Sequence, residues 1–187
     1  MYDSVRRMRG GSLILKCRRA ERDNKLVSSG WKVEIVECGD LVQDDDDVTP
    51  QDEAERRWNR YIELADSVTG DEGSTGVAAI VASLRAEEDY GAYQSAHSAL
   101  QRFPGEDLGK GVARAASDML AIPKDNSGHV LMILTRSGPV AVNAFNEEFG
   151  TTDSGLRNGM RQLVEFHESE EWLSGIEDRN LLLVPRV

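Results

Sequence analysis

Most of what announces a chemistry is missing from this sequence. It holds two cysteines, Cys17 and Cys38, too few for a disulfide framework and without the spacing of a metal knuckle. Its apolar runs, such as Val130–Leu134 and Leu181–Val184, fall far below the roughly 18 residues needed to span a bilayer. The opening Met-Tyr-Asp-Ser-Val-Arg-Arg lacks the apolar core of a secretory signal. Glycine is present but builds no phosphate cradle: Gly109-Lys110-Gly111 has neither the preceding glycine nor the Ser/Thr of a P-loop. These absences lead us to expect a soluble, cytoplasmic protein that uses no cofactor.

Basic charge is the other shortage. The 187 residues carry 22 Lys and Arg against 33 Asp and Glu, a formal charge of −11. Residues 1–43 hold nine basic and six acidic side chains, whereas 44–90 hold four basic and fourteen acidic. Nucleic-acid binding requires a cationic face to neutralise phosphates, and the main body offers the reverse. Anionic membrane surfaces are disfavoured for the same reason. A basic protein partner would instead be attracted and its encounter accelerated. With 40% apolar and 29% charged residues, the composition is that of one globular domain with a short appendage.

Asp44-Asp45-Asp46-Asp47 punctuates the chain, because four adjacent carboxylates repel one another and cannot share a core. Residues 1–43 form an extension before it, 44–50 an acidic linker, and 51–187 the main body. In the extension, Ser12–Lys16 and Trp31–Glu37 are the strand-like stretches, the second with Trp31, Val33 and Ile35 alternating with charged residues. Two strands alone are marginal in water, so this extension is either a β-hairpin resting on the body or poorly ordered.

The body has the 3.6-residue period of helices. Thr49 as N-cap and Pro50 in the first helical position begin one with Trp58, Tyr61, Ile62, Ala65 and Val68 on one face. After Gly70–Thr75 come Val77, Ile80, Val81 and Leu84, then Tyr90, Tyr93, His97, Leu100 and Phe103, stopped by Pro104. Leu108, Val112, Ala115 and Met119 continue the stripe, and Pro123 with Asn126-Ser127-Gly128 separates them from Val130–Leu134. Helices with Ala141, Phe145 and Phe149, and with Leu156, Met160, Leu163, Val164 and His167, complete the body; Thr152 or Asp153 caps the last. Short links between about seven such helices predict antiparallel neighbours, an all-α fold of the HEAT-like α-solenoid type. An irregular bundle is the alternative, since no clean repeat period appears.

Catalytic constellations are sparse. His97 lies on an apolar helix face, where a satisfied core histidine is the better reading, and His129 follows a turn. His167 and Glu171 stand at i, i+4, yet a metal site needs a third ligand that the sequence does not supply there. Neither cysteine neighbours a histidine that could activate it. We therefore expect no catalytic, cofactor or metal residues, and a protein that is not an enzyme.

The run Glu88-Asp89-Tyr90-Gly91-Ala92-Tyr93, continuing through Ala96, Ala99-Leu100 and Arg102-Phe103-Pro104, resembles small helical immunity proteins of bacterial polymorphic toxin systems. Upstream Trp58 and the late pair Glu171-Trp172 extend the resemblance over residues 58–173. It implies a non-enzymatic protein that binds and blocks a cognate toxin domain, and says nothing of which toxin. The charge argument adds that such a toxin would be basic, a nuclease being one candidate, met by an acidic face that mimics substrate phosphates. Glu87, Glu88 and Asp89, with Asp71 and Glu72, are the expected acidic contacts, and Tyr90, Tyr93 and Trp172 the aromatic anchors. A helical-repeat adaptor for a non-toxin partner has the same sequence character. A small helical enzyme or ligand-binding regulator would need a deep pocket uniting His97 or His167 with acids.

Overall fold

The computed structural model describes residues 30–170 together with Leu173 and Leu182, and every regular element among them is helical. Residues 30–38 form α1. It is followed by α2 (Gln51–Asp66), α3 (Gly73–Ser83), α4 (Tyr93–Leu100), α5 (Gly105–Arg114), the single turn α6 (Ala116–Met119), α7 (Lys124–Arg136), α8 (Pro139–Phe149) and α9 (Ser154–Ser169).

α5 is central, making its most extensive contacts with α8 and α3, while α2 packs on α4. Leu108 and Val112 of α5 are fully buried, and so are Val77, Ile80 and Val81 of α3 and Ala141, Val142, Phe145 and Phe149 of α8. Each Val, Leu, Ile or Phe among them favours folding by about 1.5–3 kcal/mol. Glycine lets the helices meet: a Cβ on Gly109 would stand 2.1 Å from the Ala141 carbonyl oxygen, and one on Gly111 2.3 Å from the Val77 Cβ. The strongest packing therefore joins helices two or three apart in the chain, not the consecutive antiparallel pairs that short links predicted.

Several local expectations need correction. Trp31–Glu37 is helix, not strand. Over five residues Trp31, Val33 and Ile35 fit either period, and contact with α2 decides: Ile35 is fully buried, the Trp31 indole donates to the Leu64 carbonyl at 3.1 Å, and Val33 is 57% exposed. Ile35 and Leu41 join the same core cluster as the helical body. Ser12–Lys16 lies outside the described residues. Asn126-Ser127-Gly128 does not break the chain but sits inside α7. The Asn126 amide donates to the carbonyls of Leu84 and Ala86, and Ser127 Oγ donates to Lys124 O, so polar residues suited to turns are buried with partners. Thr49 does not cap α2; its hydroxyl bonds Asp46 and Pro50 stands at the cap position. Asp153 does cap α9, accepting from the Leu156 amide at 3.0 Å. None of the described helices is long and apolar enough to cross a membrane.

Candidate functional site

Two acidic stretches far apart in sequence meet on one surface. The segment after α1 crosses the end of α3 and carries Asp40, Asp44 and Asp45; the loop leaving α3 carries Glu87 and Glu88. Between them is an open concavity of about 480 Å³, where these five exposed acids and Tyr90 face a single arginine, Arg85.

Buried hydrogen bonds fix this juxtaposition from below. Tyr93, the first residue of α4, is fully buried, and its hydroxyl accepts from the Ala86 amide at 2.7 Å and donates to the Gly39 carbonyl at 2.8 Å. One phenol thus ties the segment after α1 to the loop after α3. Burial pushes Tyr93 well above the usual tyrosine range, so the hydroxyl keeps its proton. Its ring meets Tyr61 edge-on at 5.5 Å, and Tyr61 shares a 2.9 Å bond with Ser83 Oγ. Nearer the surface, Gln43 imitates a peptide group: its amide nitrogen donates to the carbonyls of Leu41 and Glu88, and its oxygen accepts from the Glu88 N–H.

Tyr90 occupies the rim. Its hydroxyl donates to Asp44 Oδ1 at 2.7 Å, and that carboxylate holds the phenol above its ordinary range. The residue is 47% exposed and is the one described non-glycine residue with positive φ, +49°. A left-handed backbone costs a bulky residue about 1–2 kcal/mol, so the surroundings must hold it there. Asp89 does part of this, accepting from the amides of Gly91 and Tyr93.

The structure divides the sequence-predicted residues. Glu87, Glu88 and Tyr90 come together on the exposed rim. Tyr93 does not belong with them, because a residue with no exposed surface anchors the fold and offers no face to a partner. Asp89 is half-buried and engaged with backbone amides. Asp71 and Glu72 are not neighbours of this cluster: they precede α3, whose eleven residues put them about 16 Å from its other end. Glu72 serves its own turn, accepting from the amides of Thr69 and Gly70 and from the Thr69 hydroxyl, and these bonds outweigh burial to hold its carboxyl below the usual range. Trp172 lies outside the described residues. Sequence reasoning missed Asp40 and Gln43, for which a short-range pattern carries no signal.

The tetra-aspartate stretch is not a free linker either. Asp46 accepts from the amides of Val48 and Thr49 and from the Thr49 hydroxyl, which lowers its pKa and turns the chain into α2. A larger groove of about 820 Å³ lies between α1 and α2, and its arginines are already engaged. Arg60 clamps Glu34 through Nε and Nη2 at 2.7 and 3.0 Å and reaches Glu63 at 3.1 Å. Arg56 pairs with Glu53, and Arg57 and Arg85 donate to the Asp40 and Ala82 carbonyls. Burial, with the nearby Glu34, raises the Cys38 thiol pKa there, the opposite of activation. His167 is buried in the core with its Nε2 3.3 Å from Ser127 Oγ. Among the described residues no three His, Cys, Asp or Glu side chains cluster as metal ligands. No protein-family model matches the chain, and no curated protein or solved structure matches it either.

Proposed function

We propose that this chain is an immunity-type inhibitor that binds a basic toxin domain and occludes it without catalysis, working in the cytoplasm of the cell that carries it. The observation that carries the reading is the assembled rim: Asp40, Asp44, Asp45, Glu87 and Glu88 around an exposed Tyr90. Acidic side chains gathered on a rigid frame accelerate the encounter with a cationic surface and set its orientation. A tyrosine held by Asp44 is a low-entropy anchor, since its ring is already positioned before the partner arrives. The contact set is therefore narrower than sequence alone implied, and Tyr93 and Asp89 support it from within. The same reading takes the helices as a HEAT-like stack, for which the packing of α3 on α5, two helices apart in the chain, is the supporting contact.

Co-expression with the product of the adjacent open reading frame tests the proposal. The pair should co-purify, and growth arrest by the toxin should be relieved. With the complex in hand, Glu87→Lys combined with Glu88→Lys should slow association and flatten its salt dependence, while Tyr90→Ala should raise the dissociation rate. If the pair neither co-purifies nor relieves arrest, the immunity reading is wrong. Stable capture by a partner with no toxic activity would assign the rim to an adaptor.

A further inference from the structure

A second concavity contrasts in charge with the acidic rim. It lies where the end of α4 meets α7 and has a volume of about 390 Å³. His97 and Gln101 line it from one side, and His129, Met132, Ile133 and Arg136 from the other. No described carboxylate lines it, although the chain carries 33 acidic residues.

Arg136 and Gln101 bring uncommitted side chains to this concavity. Arg57, Arg60, Arg102, Arg114 and Arg157 each bond a carbonyl or carboxylate. Arg136, exposed at the end of α7, makes no side-chain hydrogen bond or ion pair among the described residues, and the Gln101 amide makes none. His97 Nε2 is buried with no hydrogen-bond partner. An apolar residue would fill that place at lower cost, so a histidine there points to a use other than packing. The His97 ring stacks on His129 with centroids 4.8 Å apart and planes 24° from parallel. Burial and the adjacent imidazole lower His97 to about 4, leaving it neutral near pH 7. His129 Nδ1 lies 3.1 Å from the Asp125 carbonyl, which can only accept, so Nδ1 carries a proton.

We infer that this cleft binds a small planar organic anion, an aromatic or heteroaromatic carboxylate. A guanidinium presents a forked pair of donors that matches a carboxylate. Flat imidazoles beside Met132 and Ile133 give a ring a face to lie on, and the Gln101 amide can both donate to and accept from a ring substituent. The volume falls within the range of small-molecule sites. A metal fits less well, because the in-plane lone pairs of two near-parallel rings do not converge on one point. The inference is independent of the inhibitor reading, since the two surfaces share no residue.

Salicylate is the probe, titrated into the full chain while the histidine ring signals are followed by proton–carbon NMR. The expected result is saturable movement of the His97 and His129 signals with His167 unmoved, at a Kd on the order of 1 mM for so small a ligand. Arg136→Gln, a surface change that leaves the core intact, should weaken binding about tenfold or more. Gln101→Leu gives a second variant with a smaller loss in the same direction. Unchanged His97 and His129 signals, equal affinity in Arg136→Gln, or inorganic phosphate moving the rings as strongly as salicylate would each overturn the assignment. Zinc saturating both rings in preference to salicylate would overturn it in favour of a metal.

Discussion

Replacing Tyr93 with Phe removes one oxygen and tests the frame beneath the acidic rim. The ring keeps its volume and its edge-on contact with Tyr61, so no cavity opens. What is lost is the acceptor for the Ala86 N–H and the donor for the Gly39 carbonyl, both in buried residues. Leaving a buried polar group unsatisfied costs about 1–3 kcal/mol, and two orphaned groups place the expected loss at about 2–4 kcal/mol. That is a large share of a typical stability of about 5–15 kcal/mol. Equilibrium urea unfolding at matched slope measures it. Tyr61→Phe is the control: Ser83 Oγ still donates to the Ile80 carbonyl at 2.6 Å, so only about 0.5–1.5 kcal/mol should be lost. Hydrogen exchange at the Ala86 amide should accelerate in the Tyr93 variant alone. A loss no greater than the control's, with Ala86 still protected, would refute the idea that this hydroxyl joins the two acidic segments.

Other consequences follow from the same contacts. His97 titrates near 6.5 when unfolded and about 4 in the fold, so between those values the unfolded chain binds more protons. Its contribution to stability is complete above pH 6.5 and is lost as pH falls toward 4, by up to about 3 kcal/mol, and His97→Leu should flatten that part of a stability–pH profile. Gly109→Ala forces a methyl onto the α8 backbone and should destabilise by about 1–3 kcal/mol in thermal or urea unfolding. Gly105→Ala, whose nearest neighbour would stand at 3.3 Å, should cost clearly less. Asp44→Asn removes the charge that opposes ionisation of Tyr90, so one tyrosine should titrate at lower pH in ultraviolet difference spectra.

Helical periodicity was legible wherever a stripe ran long enough to exclude other periods. Tyr61 and Ala65, Val77 with Ile80 and Val81, Leu108 and Val112, and Met160 with Val164 are all buried where the spacing placed them. Negative charge over 44–90 was equally plain, because charge is a sum over residues and needs no coordinates. Short or ambiguous signals were resolved by partners distant in the chain. Trp31–Glu37 became helix because α2 receives its Trp31 and Ile35 face, and Asn126-Ser127-Gly128 stayed helical because Leu84 and Ala86 offer carbonyls to Asn126. The division of the Glu87–Tyr93 run into rim and core was tertiary as well. Tyr90 and Tyr93 are chemically identical and three residues apart, and the two positive-φ residues Tyr90 and Gly91 turn one outward to Asp44 and leave the other beneath Gly39. Local propensity and periodicity act within a turn or two of chain, whereas assembling a surface from Asp40, Asp44, Glu87 and Glu88 depends on contacts some forty residues long, which only the packed fold supplies.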